Sequence, residues 1–150
     1  MFTAVLITHS LLRWVLLAAL LGWVGRAFTR GPWTPLDQRL GLVSLIATDT
    51  QLLLGLLLWG VFSPTVEHAR ADVGAAMKDD ALRFWLVEHG FGMIVGVVFV
   101  HLAWALAKRA PDDATKRRRV AIFGVLALLT FVGSMPHFFR AAVERPLLPF

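Results

Sequence analysis

Four long runs of apolar residues, separated by short polar connections, make up most of the chain. They cover residues 3–27, 41–62, 81–107 and 120–139. Each run reaches the roughly 20 apolar residues that an α-helix needs to cross the hydrocarbon core of a bilayer. Gly31, Pro32 and Pro35 interrupt the chain after the first run, and Pro111 does so after the third. The pattern predicts an all-α fold, an integral membrane four-helix bundle formed by a single domain over residues 1–150.

The distribution of lysine and arginine predicts the direction in which these runs cross. The connections after the first and third runs carry Arg26, Arg30, Arg39, Lys108, Arg109, Lys116, Arg117, Arg118 and Arg119. The opposite side carries Arg70, Lys78, Arg83, Arg140 and Arg145. Because cytoplasmic connections hold the excess of basic residues, both termini are predicted on the non-cytoplasmic side. The stretch 63–80 then lies outside the cytoplasm, and we expect it to form a short amphipathic surface helix.

Composition agrees with a membrane protein and excludes several kinds of site. Hydrophobic residues make up 57% of the chain and its mean hydropathy is +0.68. There is no cysteine, which excludes disulfides, thiolate metal sites, iron–sulfur clusters and covalently attached c-type haem. The net charge of +5 does not indicate nucleic acid, because the basic residues cluster at the ends of the apolar runs, where lipid headgroups meet them. The expected partner is the lipid bilayer.

Two histidines fall at one depth in different predicted spans. His9 lies about 9 Å into the first run and His89 about 12 Å into the third, at 1.5 Å per helical residue. Axial binding of a b-type haem needs two imidazoles that approach the iron from opposite faces. His9 and His89 are therefore the predicted metal ligands, and His137 at the end of the fourth run is a reserve ligand. His101, about 18 Å deeper than His89, has no histidine at its level, and His68 lies in a connection.

Residues near these histidines could support a flat ligand. Gly92 and Gly96 follow His89 by three and seven residues and share its helix face, where they would leave room for a macrocycle. The same spacing also allows close helix packing without any ligand. Arg13 lies one turn below His9 and could meet a haem propionate, a quinone oxygen or a carboxylate. These residues complete the predicted cofactor site.

Further ionisable and amide groups occur inside the predicted spans, where each needs a partner. Asp49 and Gln51 lie near the middle of the second run, but about 200° apart around the helix, so they cannot face one pocket. Asp49 is expected to be protonated or paired with an arginine. Glu88 points about 100° away from His89 and is expected to pair with Arg13, with Arg140 or with a histidine proton.

Several of these segments together resemble a known family. They are HSLLRW, LDQRLG, QLLLGLLLW, GAAMKDDALRFWLVEH and PHFFRAAVERP, and they are similar to small four-span bacterial membrane proteins labelled cytochrome B. The resemblance implies a multi-pass protein of the bacterial cytoplasmic membrane, with b haem and a role near respiratory electron transfer. His9 and His89 match the family pattern. Relatives often have a histidine two residues before the glutamine of the second run, where this chain has Asp49.

Three functions follow as hypotheses. The first is a haem b protein that passes electrons between a quinol and a partner. The second is a cofactor-free accessory or assembly subunit of a larger membrane or respiratory complex, in which buried polar groups give helix–helix specificity. The third is a protein that binds a quinone or a proton through Asp49, Gln51, Glu88 and Arg13. No Ser-His-Asp arrangement or phosphate-binding glycine loop is recognisable, so hydrolysis is not predicted.

Overall fold

The computed structural model of the protein describes residues 1–136 and Val143, and the regular elements of this part are all helical. The all-α prediction is confirmed. The helices are α1 Phe2–Ala27, α2 Pro35–Leu57, α3 Pro64–Ala71, α4 Val73–Ala76, α5 Asp80–Arg83, α6 His89–Lys108 and α7 Asp113–Gly133. Two π-helical turns, Leu58–Phe62 and Phe84–Glu88, extend α2 and join α5 to α6 without a break.

Among the described residues, three continuous helical stretches are long and apolar enough to cross a membrane. They are Phe2–Ala27, Pro35–Phe62 and Asp80–Lys108. The fourth predicted span, 120–139, differs, because helix α7 begins at Asp113 and ends at Gly133. Its first two turns contain four consecutive basic residues, so its apolar part is shorter than the roughly 20 residues of a spanning helix.

The four long helices contact one another in a cycle. Helix α1 packs against α2 and α7, and α6 packs against the same two neighbours. The shared core contains Leu16, Leu20, Trp23, Val24, Ala27, Ala47, Val100, Ala103, Ala107, Val120, Ala127 and Phe131. Alanine at several of these positions lets the helix backbones approach closely, which is typical of helix packing inside a membrane.

A buried polar network fixes the connection between α1 and α2. Arg117 of α7 is 7% exposed and donates hydrogen bonds to the carbonyl oxygens of Arg26, Gly31 and Pro32. Gly31 has a φ of 116°, a backbone conformation that favours glycine. Asp37 is 1% exposed and accepts both the Nε and the Nη2 of Arg26, at 2.7 and 3.0 Å. These charged side chains therefore stabilise the fold, in addition to any effect of the arginines on the direction of membrane insertion.

Caps explain where α2 and α7 begin. The Asp37 carboxylate accepts the backbone N–H of Thr34 at 2.7 Å, which starts α2 six residues before the predicted run. Asp112 caps α7 and accepts the backbone N–H of Thr115 at 2.8 Å. This N–H and the Thr115 hydroxyl hold the pKa of Asp112 below its usual range. Polar first turns, which hydropathy alone does not detect, therefore lengthen both helices.

The connection between the second and third runs folds into short helices. Val66 and Ala69 of α3 pack with Ala76 and Leu86 in a small apolar cluster of their own. Asp72 and Asp79 accept the N–H groups of Ala75 and Leu82, which caps α4 and α5. The prediction of a single amphipathic helix over 63–80 is thus too simple, because these aspartates divide the segment.

Candidate functional site

The structure brings His9 and His89 to the wall of one cavity. This cavity, which we call the histidine cavity, has a volume of about 270 Å³ and lies among α1, α2, α6 and the two π-helical turns. Its polar lining includes His9, Ser10, Arg13, Gln51 and His89. The rest of the lining is mostly apolar. An apolar pocket with a few convergent polar groups is the usual form of a small-molecule or cofactor site.

The two π-helical turns form part of this cavity. The N–H of Ser63 reaches the carbonyl of Leu58 at 2.8 Å and closes the first turn, which contains Trp59. The second turn ends at Glu88, and the N–H of His89 bonds to the carbonyl of Phe84. The rings of Phe84 and Trp85 lie 5.7 and 5.5 Å from the His89 ring. π-Helical turns are rare and occur often at functional sites.

A hydrogen bond to Ser134 fixes the protonation pattern of His89. The Nδ1 atom lies 2.9 Å from the carbonyl oxygen of Ser134. A carbonyl oxygen only accepts, so Nδ1 must carry the hydrogen and donate it. In the neutral imidazole, Nε2 then has the lone pair. Metal-binding histidines are commonly oriented by such a bond from the second ring nitrogen to a carbonyl group.

His9 is held in place by Gln51 of α2 and lies next to Gly55. The Gln51 Nε2 donates to the backbone carbonyl of His9 at 2.9 Å. A Cβ atom added to Gly55 would lie 3.2 Å from His9 Cε1. The absence of a side chain at Gly55 therefore makes room for the imidazole of His9. The His9 Nδ1 and the Gln51 Oε1 are buried and have no hydrogen-bond partner among residues 1–136. Such groups cost free energy unless a water or ligand satisfies them.

Arg13 lines the histidine cavity, as the spacing from His9 indicates. Its guanidinium lies 5.1 Å from the centre of the Trp14 ring. A cation at the edge of an apolar pocket can bind a carboxylate or a polarised carbonyl oxygen. Arg13 therefore has the chemistry that the predicted site needs.

Gly92 and Gly96 do not make room in the cavity. A Cβ atom at Gly92 would overlap the Ser134 side chain, and one at Gly96 would overlap the Phe131 ring. Both glycines therefore permit α6 to pack closely against α7 and the residues that follow it. These contacts support the alternative of close helix packing, and a role of the two glycines beside a macrocycle stays a prediction.

A second cavity of about 450 Å³ continues from the histidine cavity between α2 and α6. We call it the lateral cavity. The two cavities share His9, Gln51, Gly55, Trp59, His89 and Met93, among others. Beyond them, the lateral cavity is lined by apolar residues whose outer atoms are exposed, including Leu56 at 48%, Phe91 at 68% and Ile94 at 48%. A lipophilic molecule could enter the site by this side.

Asp49 and His101 form a separate polar pair on the outside of α2 and α6. The His101 Nε2 lies 2.8 Å from the Asp49 Oδ1, and each side chain is 49% exposed. The expected arginine partner of Asp49 is therefore wrong, because the histidine of the neighbouring helix occupies that position. Thr48 and Gln51 face inward from the same part of α2, so the predicted angular separation of Asp49 and Gln51 is confirmed.

Glu88 pairs with a residue of its own segment. Its Oε1 accepts the Nε of Arg83 at 2.7 Å, and Arg83 also reaches Asp80 at 2.6 Å. Arg83 was not among the predicted partners of Glu88, because the π-helical turn that places it beside Glu88 was not predicted. Two further predicted residues, the reserve ligand His137 and the possible partner Arg140, lie outside the described residues.

Sequence reasoning missed the aromatic and carbonyl groups of the site. Tertiary packing brings Ser134 and Trp59 to the site, whereas Trp85 reaches His89 through the π-helical turn that precedes it. Nothing in the local sequence marks these three residues. Within the part of the chain that the structure describes, no group of three or more His, Asp or Glu side chains could hold a metal ion.

Comparisons with protein-family models, with curated proteins and with solved structures found no match to this chain.

Proposed function

We propose that the chain is a bacterial inner-membrane protein that binds haem b through His9 and His89 and transfers electrons. In this proposal its four long helices form a membrane bundle with both termini outside the cytoplasm, and the basic first turns of α7 lie among the headgroups. The proposal includes no hydrolytic step. It keeps the resemblance to small cytochrome b-like proteins as a hypothesis.

The observation that carries the proposal is the pair of histidines on one cavity wall. The Ser134 carbonyl keeps the His89 proton on Nδ1, which leaves the Nε2 lone pair as the group that would bind iron. The buried His9 Nδ1 lacks a protein partner within residues 1–136, which a bound group or water in the cavity would explain. Arg13 would pair with a haem propionate. Haem, when bound, supplies one-electron redox chemistry, while these residues hold and orient it.

A second candidate, binding of a quinone, is favoured by the lateral cavity. Its volume of about 450 Å³ and its apolar lining suit an isoprenoid ring compound that enters between α2 and α6. Gln51, His9 and Arg13 would then bind the carbonyl oxygens. The remaining hypothesis, a cofactor-free accessory subunit of a larger membrane complex, predicts neither ligand.

Spectra of histidine variants test the proposal. Protein purified from haem-replete cells should give a low-spin b-type spectrum, and His9→Ala and His89→Ala should each abolish it or convert it to high spin. His68→Ala is the matched control, because this histidine is exposed on α3, and it should leave the spectrum unchanged. Circular dichroism and gel filtration verify that each variant is folded.

The remaining outcomes separate the alternatives. Loss of the low-spin spectrum in a His137→Ala variant, with His9→Ala silent, would replace the ligand pair by His89 and His137. Wild-type protein without haem, but with stoichiometric bound quinone, would favour quinone binding. Wild-type protein with neither ligand, purified with stoichiometric partners, would favour the accessory subunit.

A further inference from the structure

The Asp49–His101 pair occupies an unusual place in the fold. Asp49 is 14 residues after the start and 13 before the end of the stretch Pro35–Phe62, which is long enough to cross a membrane. Both side chains are nevertheless 49% exposed. Polar groups at such a depth normally face the bundle interior, a water-filled cavity or another protein. Here they face outward.

The surface around the pair is apolar. On the same face of α2, one turn away on either side, Ile46 and Leu53 are 57% and 63% exposed. On α6, Val98 lies one turn from His101 and is 50% exposed. The pair is thus an isolated polar spot on a surface that otherwise suits lipid tails, and it has no role in the histidine cavity.

The hydrogen-bonding groups of the pair are self-complementary. In hydrocarbon the pair should be electrically neutral, since a net charge there is costly. It can be neutral as carboxylate with imidazolium, or as carboxylic acid with neutral imidazole. In both forms the His101 Nε2 is engaged with Asp49, so Nδ1 carries a hydrogen that it can donate, and the second carboxyl oxygen can accept.

We infer that α2 and α6 form a homodimer surface on which the Asp49–His101 pair of one copy binds the same pair of a second copy. In a two-fold contact, Nδ1 of each His101 would donate to Oδ2 of the other Asp49, because such interfaces are reciprocal. Two copies inserted in the same direction necessarily have their Asp49–His101 pairs at the same depth, whereas an unrelated partner need not have a polar group there. The inference rests on the membrane insertion proposed above and not on haem.

Cross-linking in membranes tests this surface directly. The chain has no cysteine, so single cysteines can be introduced without background. Leu53→Cys, one turn from Asp49, should give dimers with a short bismaleimide. Leu21→Cys on α1 is the matched control, because it is equally exposed at 62% but lies on another helix, and it should give none. Cross-linking of Leu53→Cys only to a different protein would overturn the inference.

Substitution of Asp49, and exchange of Asp49 with His101, test the contact between the two copies itself. Energy transfer between labelled copies in liposomes should show about tenfold weaker association for Asp49→Leu, since two interhelical hydrogen bonds are lost. A chain carrying both Asp49→His and His101→Asp should associate with itself but poorly with the wild type, because mixed pairs place like groups together. Unchanged association in Asp49→Leu, or free mixing with the exchanged chain, would overturn the inference. Extraction of the wild-type protein by alkaline carbonate would instead refute membrane insertion.

Discussion

His89 shows how much of the candidate site depends on contacts that counting residues along a helix does not reveal. The sequence places it on α6 at the depth of His9, but its ring orientation comes from Phe84, Trp85 and the Ser134 carbonyl. Ser134 is 45 residues away, and a carbonyl group has no sequence signature. Depth along a helix could therefore be predicted by counting residues, whereas the tautomer of the imidazole could not.

The ion pair between Arg83 and Glu88 should contribute little to stability. Both side chains are about 30% exposed, so solvent and headgroups screen the charges. A double-mutant cycle with Arg83→Ala and Glu88→Gln, measured by thermal unfolding in detergent, should give a coupling free energy of about 0.2–1 kcal/mol. A coupling of several kcal/mol would mean that the pair is effectively desolvated.

The Asp37 carboxylate should matter far more. It is buried beside Arg26 and Arg117, so its removal leaves two cations without their counter-ion and α2 without its cap. Asp37→Ala should lower the free energy of unfolding by about 3–5 kcal/mol. Arg39→Ala, an exposed position on the same helix turn, should change it by less than about 0.5 kcal/mol. Equal effects of the two changes would contradict this account of the network.

At the scale of elements, the apolar runs predicted the long helices because hydrocarbon length and helix rise are fixed quantities. They did not predict the starts of α2 and α7, which lie in polar turns capped by Asp37 and Asp112. The two π-helical turns were also missed. Each adds one residue to a helical turn, and apolar patterning over such a short stretch cannot distinguish it from an α-helical turn.

The glycines of α6 give a matched test of helix packing. Gly96→Ala should destabilise the protein by about 1–3 kcal/mol, because the new methyl group overlaps the Phe131 ring. Gly90→Ala meets no atom within 4 Å and should be neutral or stabilising by up to about 1 kcal/mol, since alanine favours helix. Thermal unfolding of the two variants in the same detergent measures the difference. A tolerated Gly96→Ala would mean that α6 and α7 are less closely packed.

At the scale of the whole molecule, the direction of membrane insertion and the packing of the helices are separate properties of the chain. The same basic residues serve both, since Arg26 and Arg117 fix the α1–α2 connection while adding to the charge on the predicted cytoplasmic side. Counting charges therefore predicts direction but gives no indication of the buried network. The network is a tertiary feature that only the folded chain reveals.

The predicted direction can be measured with single cysteines in the cysteine-free chain. Thr3→Cys and Pro149→Cys should react with an impermeant thiol reagent added to intact cells, whereas Ala114→Cys should react only after the cells are opened. Reaction of Ala114→Cys alone in intact cells would reverse the orientation and place the histidine cavity in the cytoplasmic half.

The central claim, that His9 and His89 hold haem, is tested most directly by the absorption spectra of the oxidised and the reduced protein. The wild-type protein, expressed in haem-replete cells and purified in detergent, should show a sharp Soret band when oxidised. After reduction it should show the narrow alpha band of low-spin haem b, with about one haem per chain. Folded protein that is colourless under these conditions would contradict the account.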